Sequence, residues 1–405
     1  MARKMKDSGI EWIGEIPEGW SIARGKHILT LLQRAVFPTD GVITCFRDGE
    51  VTLRSNRRED GFTVSLKEIG YQGIEPGDLV VHGMDGFAGS IGISDSRGKS
   101  SPVLVVLDSS QDKKYLMYYL RSMAYNNVFL ALSTGIRVRS CDLKWNKLAD
   151  LLYLVPPIVE QHKLVSFLDE KCSEIDAMLS KTRASIEEYK KLKQAVITQA
   201  VTTLNCPNVK LKYLMDIIVD CPHETPIYTF TGNYLVIRTS DQSLASLRCD
   251  EYMYRLDEAE YKKRTRRLTL DKDDIVYGRE GSWGLACLVP QSNKYCLGQR
   301  VMQFRCNTRL LYPKYAMYAL NSETVYMQGA LDTIGSTAPH VNISTICNYL
   351  LPVPALTEQK EIADYLDAKC AEIDGLIAKK EQLVKELESY KKSLIYEVVT
   401  GKRKV

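Results

Sequence analysis

A segment that occurs twice constrains this chain more than any other feature. The first copy, at 160–176, reads EQHKLVSFLDEKCSEID, and the second, at 358–374, reads EQKEIADYLDAKCAEID. The match keeps a constant offset as far as Thr202 and Thr400, near the end of a chain of 405 residues. One structural unit is therefore written twice, and this repeat decides the architecture before any local pattern is weighed.

Each copy opens a long amphipathic helix. Apolar residues recur at alternating spacings of four and three, the heptad pattern of a coiled coil, over roughly four heptads. Each helix should have about 40 residues and a length of about 60 Å. Because one such helix leaves an apolar stripe in water, we expect the two copies to pack against each other. The seam positions expected to carry this pairing are Leu168, Ile175, Leu179, Ile186, Leu366, Ile373, Ile377 and Val384.

Two details qualify the helix prediction. Prolines just ahead of both helices, at 156–157 and at Pro354, can mark their starts. Lysine occupies the same late seam position in both copies, Lys193 and Lys391, so the apolar stripe is expected to weaken there. An ordinary helical bundle is the alternative to a paired coil, but a bundle needs more helices than the sequence offers.

Composition indicates a soluble globular protein of two or three domains. Apolar residues make up 45% of the chain and charged residues 26%. No apolar run reaches the roughly 18 residues of a membrane span, and the first residues lack the apolar core of a secretory signal. The 11 cysteines are scattered and odd in number, which favours reduced thiols and a cytoplasmic location.

Globular segments alternate with the long helices along the chain. Short strand-like runs, turns and helical stretches fill 1–155 and 206–352, and the long helices fill 156–205 and 353–405. GDLVVHGMDGFAG in the first globular segment resembles DDIVYGREGSWG in the second after one gap. This order predicts an α+β protein, in which two mixed globular domains are joined by two long helices with a pseudo-two-fold internal repeat. The globular segments differ far more than the helices, so the helices should do one job twice and the domains different jobs.

No catalytic constellation is legible in the sequence. It lacks a dinucleotide-binding glycine motif, a P-loop, the metalloprotease and serine-hydrolase motifs, the kinase set and the proline-rich tetrapeptide of amino-methyltransferases. Cys221-Pro222-His223 is the nearest approach to a metal cluster and is more typical of a turn. We therefore predict that this chain holds no catalytic residue, no metal and no cofactor of its own.

Basic residues cluster in the loops of both globular domains and are the candidates for contacting DNA. Arginine and lysine can fork onto guanine edges, although most such residues touch phosphate and only position the protein. The net charge of +4 is modest for a free-standing DNA-binding protein, so other chains would have to share the phosphate contacts. The candidates are Arg54, Arg57, Arg58, Arg97, Lys99, Arg137 and Arg139 in the first domain, and Lys262, Lys263, Arg264, Arg266, Arg267, Arg279, Ser336 and His340 in the second.

Taken together, these features resemble the specificity (S) subunit of type I restriction-modification systems. The resemblance rests on DSGIEWIGEIPEGW near the start, PPIVEQ and PALTEQ at the entries to the helices, LDxKCxEID in both copies, and EVVTGK at 397–402. It covers the order of the whole chain, and its helical motifs are specific.

The resemblance implies two target-recognition domains whose joining helices pair as an antiparallel coiled coil. Each domain would read one half of a bipartite site in double-stranded DNA. The helices would set the spacer between the half-sites and dock two methyltransferase (M) subunits, which carry S-adenosylmethionine. Restriction (R) subunits, where present, would supply translocation and cleavage that depend on ATP and Mg. The S subunit itself is not catalytic in such systems, in agreement with the missing motifs.

Two functions from other classes stay open on the residues alone. A coiled-coil adaptor that binds only protein would show no DNA binding at any salt concentration, even with its partners present. A stand-alone DNA-modifying enzyme, either a nuclease or a methyltransferase with an unfamiliar site, would be active as the purified chain with a metal or S-adenosylmethionine alone.

Overall fold

Contacts along the chain divide it into two units. The computed structural model describes residues 3–57, 68–131, 143–248, 250–333 and 340–405. The first unit comprises Met1–Thr182 with Leu383–Val405, and the second comprises Arg183–Gln382. Each unit therefore contains one globular domain and a part of each long helix.

The globular domain of the first unit consists of short strands followed by helices. Its strands are β1 (Met5–Asp7), β2 (Glu15–Pro17), β3 (Ser21–Arg24), β4 (Leu29–Leu31), β5 (Ile43–Cys45), β6 (Val51–Leu53), β7 (Gln72–Ile74), β8 (Leu79–His82), β9 (Ile91–Ile93), β10 (Gly98–Ser100), β11 (Leu104–Ser109) and β12 (Leu152–Val155). Its helices are α1 (Lys113–Tyr125), α2 (Val128–Ala131) and α3 (Trp145–Asp150), and the first long helix, α4, follows at Ile158–Thr202.

The globular domain of the second unit has a similar order of elements. Its strands are β13 (Asn208–Lys210), β14 (Met215–Asp220), β15 (Tyr234–Ile237), β16 (Gln242–Ser243), β17 (Ser246–Leu247), β18 (Arg255–Leu256), β19 (Ile275–Gly278), β20 (Ala286–Leu288), β21 (Tyr295–Leu297), β22 (Val301–Cys306) and β23 (Leu350–Pro352). Its helices are α5 (Glu258–Arg264), α6 (Pro313–Leu320), α7 (Glu323–Ala330) and α8 (Ile343–Cys347), and the second long helix, α9, follows at Leu356–Val399.

An antiparallel sheet of four strands, in the order β4-β11-β8-β9, lies at the centre of the first domain. Leu79 and Val81 of β8 pack with α1 on one face, whereas Val80 packs with β5, β6 and β7 on the other. Successive residues of a strand point to opposite faces, so a sheet covered on both sides needs apolar residues at every position. This requirement accounts for the continuous apolar run Leu79-Val80-Val81, a pattern that indicates a strand buried on both faces.

The second domain has an equivalent four-stranded sheet, and a helix packs on one of its faces as in the first domain. The strand order is β14-β22-β19-β20, and Ile275 and Tyr277 of β19 pack with α6 as their counterparts in β8 pack with α1. The opposite face is covered differently, because Val276 packs against a sheet of order β18-β15-β21 that contains a parallel pair. The two domains therefore share the face that meets the helix and differ on the other.

The helical region over each sheet is broken in two. The sequence pattern predicts one helix over 115–132, but α1 ends at Tyr125 and α2 begins at Val128. The break follows from Asn127, whose φ of 59° lies in the left-handed region and cannot continue a right-handed helix. In the second domain α6 and α7 are likewise separate, and the Ser322 side chain caps α7 by accepting a hydrogen bond from the Val325 amide.

The two long helices pair in an antiparallel direction, as predicted. They have 45 residues in α4 and 44 in α9, somewhat more than the pattern predicts. Within the first unit, the start of α4 and the end of α9 share one apolar core that contains Leu168, Cys172, Ile175, Leu179, Leu394, Ile395 and Val398. Within the second unit, the end of α4 and the start of α9 share another that contains Ile197, Val201, Ala363, Leu366 and Cys370. No helix among the described residues is long and apolar enough to cross a membrane.

Most of the seam positions are buried, in keeping with a paired coil. Two positions near the middle of α9, Ile377 and Val384, are only half-buried. The buried positions are Leu168, Ile175, Leu179, Ile186, Leu366 and Ile373.

Ion pairs occupy the seam where lysine replaces an apolar residue. In the second unit, Lys193 of α4 donates to both carboxylate oxygens of Asp374 at 2.9 and 2.8 Å. In the first unit, Lys391 of α9 donates in the same way to Asp176 at 2.6 and 2.7 Å. The two pairs are equivalent under the repeat. At the position where the sequence predicts a weaker apolar seam, each lysine pairs with the aspartate that ends the repeated motif of the other helix.

A buried glutamine ties the start of each long helix to its globular domain. Gln161 accepts a hydrogen bond from the Asp112 amide at 3.0 Å and donates one to the Pro156 carbonyl at 2.8 Å. Gln359 accepts from the Tyr312 amide at 2.7 Å and donates to the carbonyl of the proline five residues earlier at 2.9 Å. Both glutamines are fully buried, and both belong to the repeated motif.

An aspartate of the repeated motif makes a second tie in each unit. Asp169 accepts hydrogen bonds from Lys114 at 2.6 Å and from Tyr118 at 2.8 Å, both on α1. Asp367 accepts the equivalent bonds from the lysine and tyrosine of α6, at 2.5 and 2.8 Å. The residues that repeat in sequence thus hold each domain on its helix by the same contacts.

The two terminal motifs meet in the first unit. Trp20, from the motif near the start, is buried and donates to Glu160 of α4 at 3.1 Å. Tyr396, next to the closing motif, donates to the carbonyl of Trp12 at 3.1 Å. A side chain at Gly401 would collide with Pro17, so glycine permits the close approach of the two ends.

Candidate nucleic-acid interface

In both sheets, several strands end together beside a glycine-containing turn. The register of the second sheet pairs Gly278 with Val301 and Asp220 with Met302, so β14 and β19 end where β22 begins, and the turn 279–284 follows β19. In the first sheet, β8 ends at the same relative place and is followed by the turn 83–89. We call these strand ends with their turns the turn edge of each domain.

An open cleft of about 680 Å³ lies at the turn edge of the first domain. Two of the residues predicted to contact DNA, Arg54 and Arg57, line it. Its other polar residues include Thr44, Arg47, Asp48, His82, Asp85, Ser90 and Ser101. The structure therefore brings together arginines that the sequence places on a loop and polar groups from β5, from β8 and from the turn that follows β8.

Carboxylates fix the orientation of Arg57 in this cleft. Its guanidinium donates to Asp48 at 3.0 Å and to Glu50 at 2.8 Å, and it lies over the ring of Phe46 at 4.2 Å. The hydrogen bond to Asp48 raises the pKa of Arg57 above its ordinary value. A guanidinium held in this way keeps its charge and presents its remaining N–H groups in fixed directions.

His82 and Asp85 shape the same cleft. The backbone amide of Asp85 donates to Nδ1 of His82 at 2.9 Å, and the Asp85 carboxylate pairs with Arg47 at 3.1 Å. Burial lowers the pKa of His82 below its ordinary value, although the nearby carboxylate opposes this change. The ring is therefore uncharged at neutral pH, with Nδ1 as acceptor and Nε2 as the donor.

Arg97 and Lys99 are bound to acidic residues within the first domain. Arg97 donates to Asp40 from two nitrogens, each at 3.1 Å, and also contacts Glu75. This bond lowers the pKa of Asp40 and raises that of Arg97. Lys99 pairs with Glu68 at 2.7 Å. The observed contacts of both residues are internal, and their contact with DNA stays a prediction.

Two arginines of the second domain lie under the loop that follows β14. Arg279 is 8% exposed, donates to both oxygens of Asp220 at 3.2 Å and contacts Glu280 at 2.9 Å. Arg264 is also buried, and it donates to the backbone carbonyls of Pro222, Glu224 and Leu297. In this structure both guanidinium groups therefore support the loop 220–225.

Four other basic residues that the sequence predicts to contact DNA in the second domain are exposed. Lys262 pairs with Glu258 at 2.6 Å, and Lys263 pairs with Glu224 at 3.0 Å. Arg266 and Arg267 make no hydrogen bond or ion pair with any residue that the structure describes. Lys263, Arg266 and Arg267 lie beside the loop 220–225 and give it a basic border.

His340 and two residues absent from the sequence prediction complete the turn edge of the second domain. His340 is exposed and forms a β-bridge with Glu280. Gln299 and Arg300 lie between β21 and β22, and Gln299 donates to Thr225 at 3.2 Å. The only sequence signal for them was a polar pair after a glycine between two strand-like runs.

An exposed aromatic cluster near β18 was also missed. The rings of Tyr228 and Tyr254 lie 4.5 Å apart, and the guanidinium of Arg238 lies 3.8 Å from the second ring. Phe230 and Tyr252 are more than half exposed nearby in sequence. Exposed apolar groups of this kind commonly mark a binding surface. The chain has 23 tyrosines, a number that does not by itself locate the cluster.

Four of the predicted site residues lie outside the described residues, namely Arg58, Arg137, Arg139 and Ser336. Within the described ranges, no group of three or more His, Cys, Asp or Glu side chains is arranged to hold a metal ion.

Comparison with known sequences gives a consistent result. Residues 220–386 match the family described as the type I restriction modification DNA specificity domain. The type I restriction enzyme EcoBI specificity subunit of Escherichia coli is 27% identical over 32% of this chain and 27% of its own length. The MjaVIII specificity subunit of Methanocaldococcus jannaschii is 27% identical over 36% of this chain and 35% of its own length. These alignments therefore span about a third or less of those relatives. An MjaX specificity subunit of the same archaeon aligns over 97% of this chain and 96% of its own length, at 21% identity.

Solved structures share the fold. One solved structure concerns complex assembly and conformational transition of the type I R-M system. A chain of that structure superposes with a TM-score of 0.71, over 96% of this chain and 99% of that one, at 15% identity. The HsdS subunit from Thermoanaerobacter tengcongensis superposes with a TM-score of 0.51, over 98% of this chain and 100% of that one, also at 15% identity.

The fold and the turn edges define a class of protein in which two paired long helices are joined to two globular domains. The domains share an order of elements and a central sheet but differ at their surfaces. Among such proteins, this chain is similar to the specificity subunits of type I restriction-modification systems, through the domain match over 220–386 and the alignments with curated specificity subunits.

Proposed function

We propose that this chain is the sequence-specific DNA-recognition subunit of a type I restriction-modification complex. Each globular domain reads one half of a bipartite site in double-stranded DNA through its turn edge, and the paired helices set the spacer. One contrast carries the proposal. The contacts between helix and domain are equivalent in the two units, whereas the residues at the turn edges differ. A protein built in this way suits identical partners acting on a site whose halves differ.

The repeated helices dock two methyltransferase subunits, and exposed residues of the repeat support this part of the proposal. Lys171 pairs with Glu174 at 2.9 Å, and Lys369 pairs with Glu372 at 3.0 Å. These side chains repeat between the copies, and within the described part of the chain their hydrogen bonds and ion pairs stay within their own helix. Two similar exposed surfaces would bind two copies of one partner.

The chemistry of the complex then lies in other chains. Methyltransferase subunits bind S-adenosylmethionine, and restriction subunits, where the system has them, use ATP and Mg. This chain binds none of these and supplies no catalytic group. Its modest net charge fits this division, since the partners would share the phosphate contacts. We place the assembled complex in the cytoplasm, where its DNA lies.

Methylation mapping tests the proposal directly. DNA from cells that express this chain with the methyltransferase subunit encoded beside it would be sequenced by a long-read method, against cells that lack this chain. We expect a split motif of two short half-sites around a fixed spacer, present only when this chain is expressed. Unchanged methylation, with the complex shown to assemble, would overturn the proposal and favour an adaptor that binds protein alone.

A further inference from the structure

Arg300 lies at the turn edge of the second domain, between β21 and β22. We propose that its guanidinium recognises a guanine of the half-site read by this domain, through two hydrogen bonds to the O6 and N7 atoms in the major groove. This inference rests on the proposed function and adds to it the residue and the base. Arginine in this bidentate arrangement is the commonest specific contact to a base pair.

The backbone of Arg300 is held in a conformation that arginine rarely adopts. Its φ is 70°, in the left-handed region where residues with a side chain are disfavoured. Buried strands fix it on both sides, since Cys296 and Val301 are at most 1% exposed. Its carbonyl accepts a hydrogen bond from the Arg279 amide at 2.9 Å. Strain of this kind persists only where the surroundings determine the conformation, and it is concentrated at functional sites.

The guanidinium of Arg300 is exposed and available. It makes no hydrogen bond or ion pair with any residue within the described part of the chain. Other arginines at or near this edge are engaged, since Arg279 is bound by Asp220 and Arg238 by Asp241. An arginine has five N–H groups in a rigid fork, so those of Arg300 can all serve a ligand.

The surroundings leave room for a base to approach. Nη1 of Arg300 lies 3.5 Å from the point that a Cβ on Gly281 would occupy, so the guanidinium rests over a residue without a side chain. On the other side, Gln299 is fixed by its bond to Thr225 at 3.2 Å. The fork therefore lies at the turn edge between a residue without a side chain and a glutamine whose amide is already bound.

A phosphate contact is the competing role, and the two roles differ in what they predict. A phosphate contact weakens binding to every sequence alike, whereas a base contact changes the preference at one position. Loss of a bidentate contact to guanine should reduce discrimination at that position by roughly 5- to 150-fold. The other half-site should not change.

The first test uses variants of the full chain assembled with its methyltransferase subunits. Arg300→Asn removes the guanidinium with a residue that tolerates positive φ, and Arg300→Lys keeps the charge without the fork. Arg309→Ala is the matched control, because Arg309 is an exposed arginine beyond the far end of β22, roughly 20 Å away at 3.3 Å per residue. Both Arg300 variants should yield a methylated motif that is degenerate at one guanine of one half-site. The Arg309→Ala motif should match that of the unaltered chain.

The main measurement of the second test uses the unaltered complex, so a misfolded variant does not affect it. In synthetic duplexes, each guanine of the motif would be replaced in turn by 7-deazaguanine, which pairs normally but lacks the N7 acceptor. Methylation by the unaltered complex should fall at one guanine of the half-site that the Arg300 variants change, and Arg300→Asn should show no further fall there.

The outcomes separate the inference from the proposed function. If the unaltered chain directs no split motif, the proposed function fails and the inference fails with it. If the unaltered chain directs a split motif but Arg300→Asn keeps it with uniformly lower methylation, Arg300 contacts phosphate and only the inference is overturned. A half-site without guanine, or no sensitivity to 7-deazaguanine, overturns it as well.

Discussion

Lys193 and Lys391 show that the structural effect of a residue in a helix seam depends on the residue opposite. Each occupies a seam position where a coiled coil ordinarily has an apolar side chain. The sequence predicts a weak point there, because it does not reveal what lies opposite. In the structure each lysine meets the aspartate that closes the repeated motif, so the repeat supplies both halves of two reciprocal ion pairs.

Removing one carboxylate should therefore destabilise the protein unequally in the two units. The Lys193 side chain is 8% exposed, whereas that of Lys391 is 20% exposed. Asp374→Ala leaves the more buried ammonium unpaired and should cost about 1–2 kcal/mol, less than a fully buried pair because Asp374 is half exposed. Asp176→Ala should cost about 1 kcal/mol or less. Denaturant unfolding measures both values, and the double variant Lys193→Met with Asp374→Leu should recover most of the loss.

His82 should make stability depend on pH in a known direction. Its folded pKa is lowered by burial, so folding favours the neutral ring. The stability contributed by neutral His82 is fully present above its unfolded pKa of about 6.5 and is lost as the pH falls through the lower folded value. Compared with His82→Gln, the unaltered protein should therefore lose unfolding free energy as the pH falls below about 6.5. A difference that stays constant over this range would contradict the assignment.

At the scale of elements, each long helix joins its domain through the same pair of polar ties. The glutamine at the entry and the aspartate after it are the residues by which the repeat was recognised. Their contacts explain why these positions match between the copies while the strands do not. A glutamine that satisfies one amide and one carbonyl in a buried place is difficult to replace.

Loss of either glutamine side chain should lower the free energy of unfolding by a similar amount. Gln161→Ala leaves the Asp112 amide and the Pro156 carbonyl without their partner, and Gln359→Ala does the same in the other unit. Each unpaired buried group costs about 1–3 kcal/mol. Gln199→Ala, on the exposed side of α4, is the control and should change stability by less than about 0.5 kcal/mol. A large effect in one unit only would show that the two joints are not equivalent.

The sequence predicted elements better than surfaces, for a physical reason. Heptads and apolar runs are local, so the long helices and the strand at 79–81 could be inferred. That run requires cover on both faces, but it does not say which elements provide it, and the covers differ between the domains. Arg279 and Arg300 look alike in sequence, as arginines beside turns. Arg279 is buried and pairs with Asp220, which lies on a strand much earlier in the chain. Arg300 is exposed and has no hydrogen-bond or ion-pair partner among the described residues.

At the scale of the whole molecule, both long helices cross from one unit to the other. The division falls after Thr182 in α4 and after Gln382 in α9. All the helix contacts described above lie within one unit or the other, including the ion pairs of Lys193 and of Lys391. Residues added at both division points at once would therefore disturb neither set of contacts.

Insertion of one heptad at both points tests whether the helices set the spacer. Seven residues lengthen each helix by about 10 Å and keep the phase of the seam. At 3.4 Å per base pair, we expect the methylated motif to keep both half-sites and to gain a spacer of about three base pairs. Insertion in α4 alone is the control, because it shifts one set of helix contacts against the other and should impair assembly of the complex. If the double insertion assembles and methylates the original spacing, the helices do not determine the spacer, and the separation of the half-sites must be set by the partner subunits.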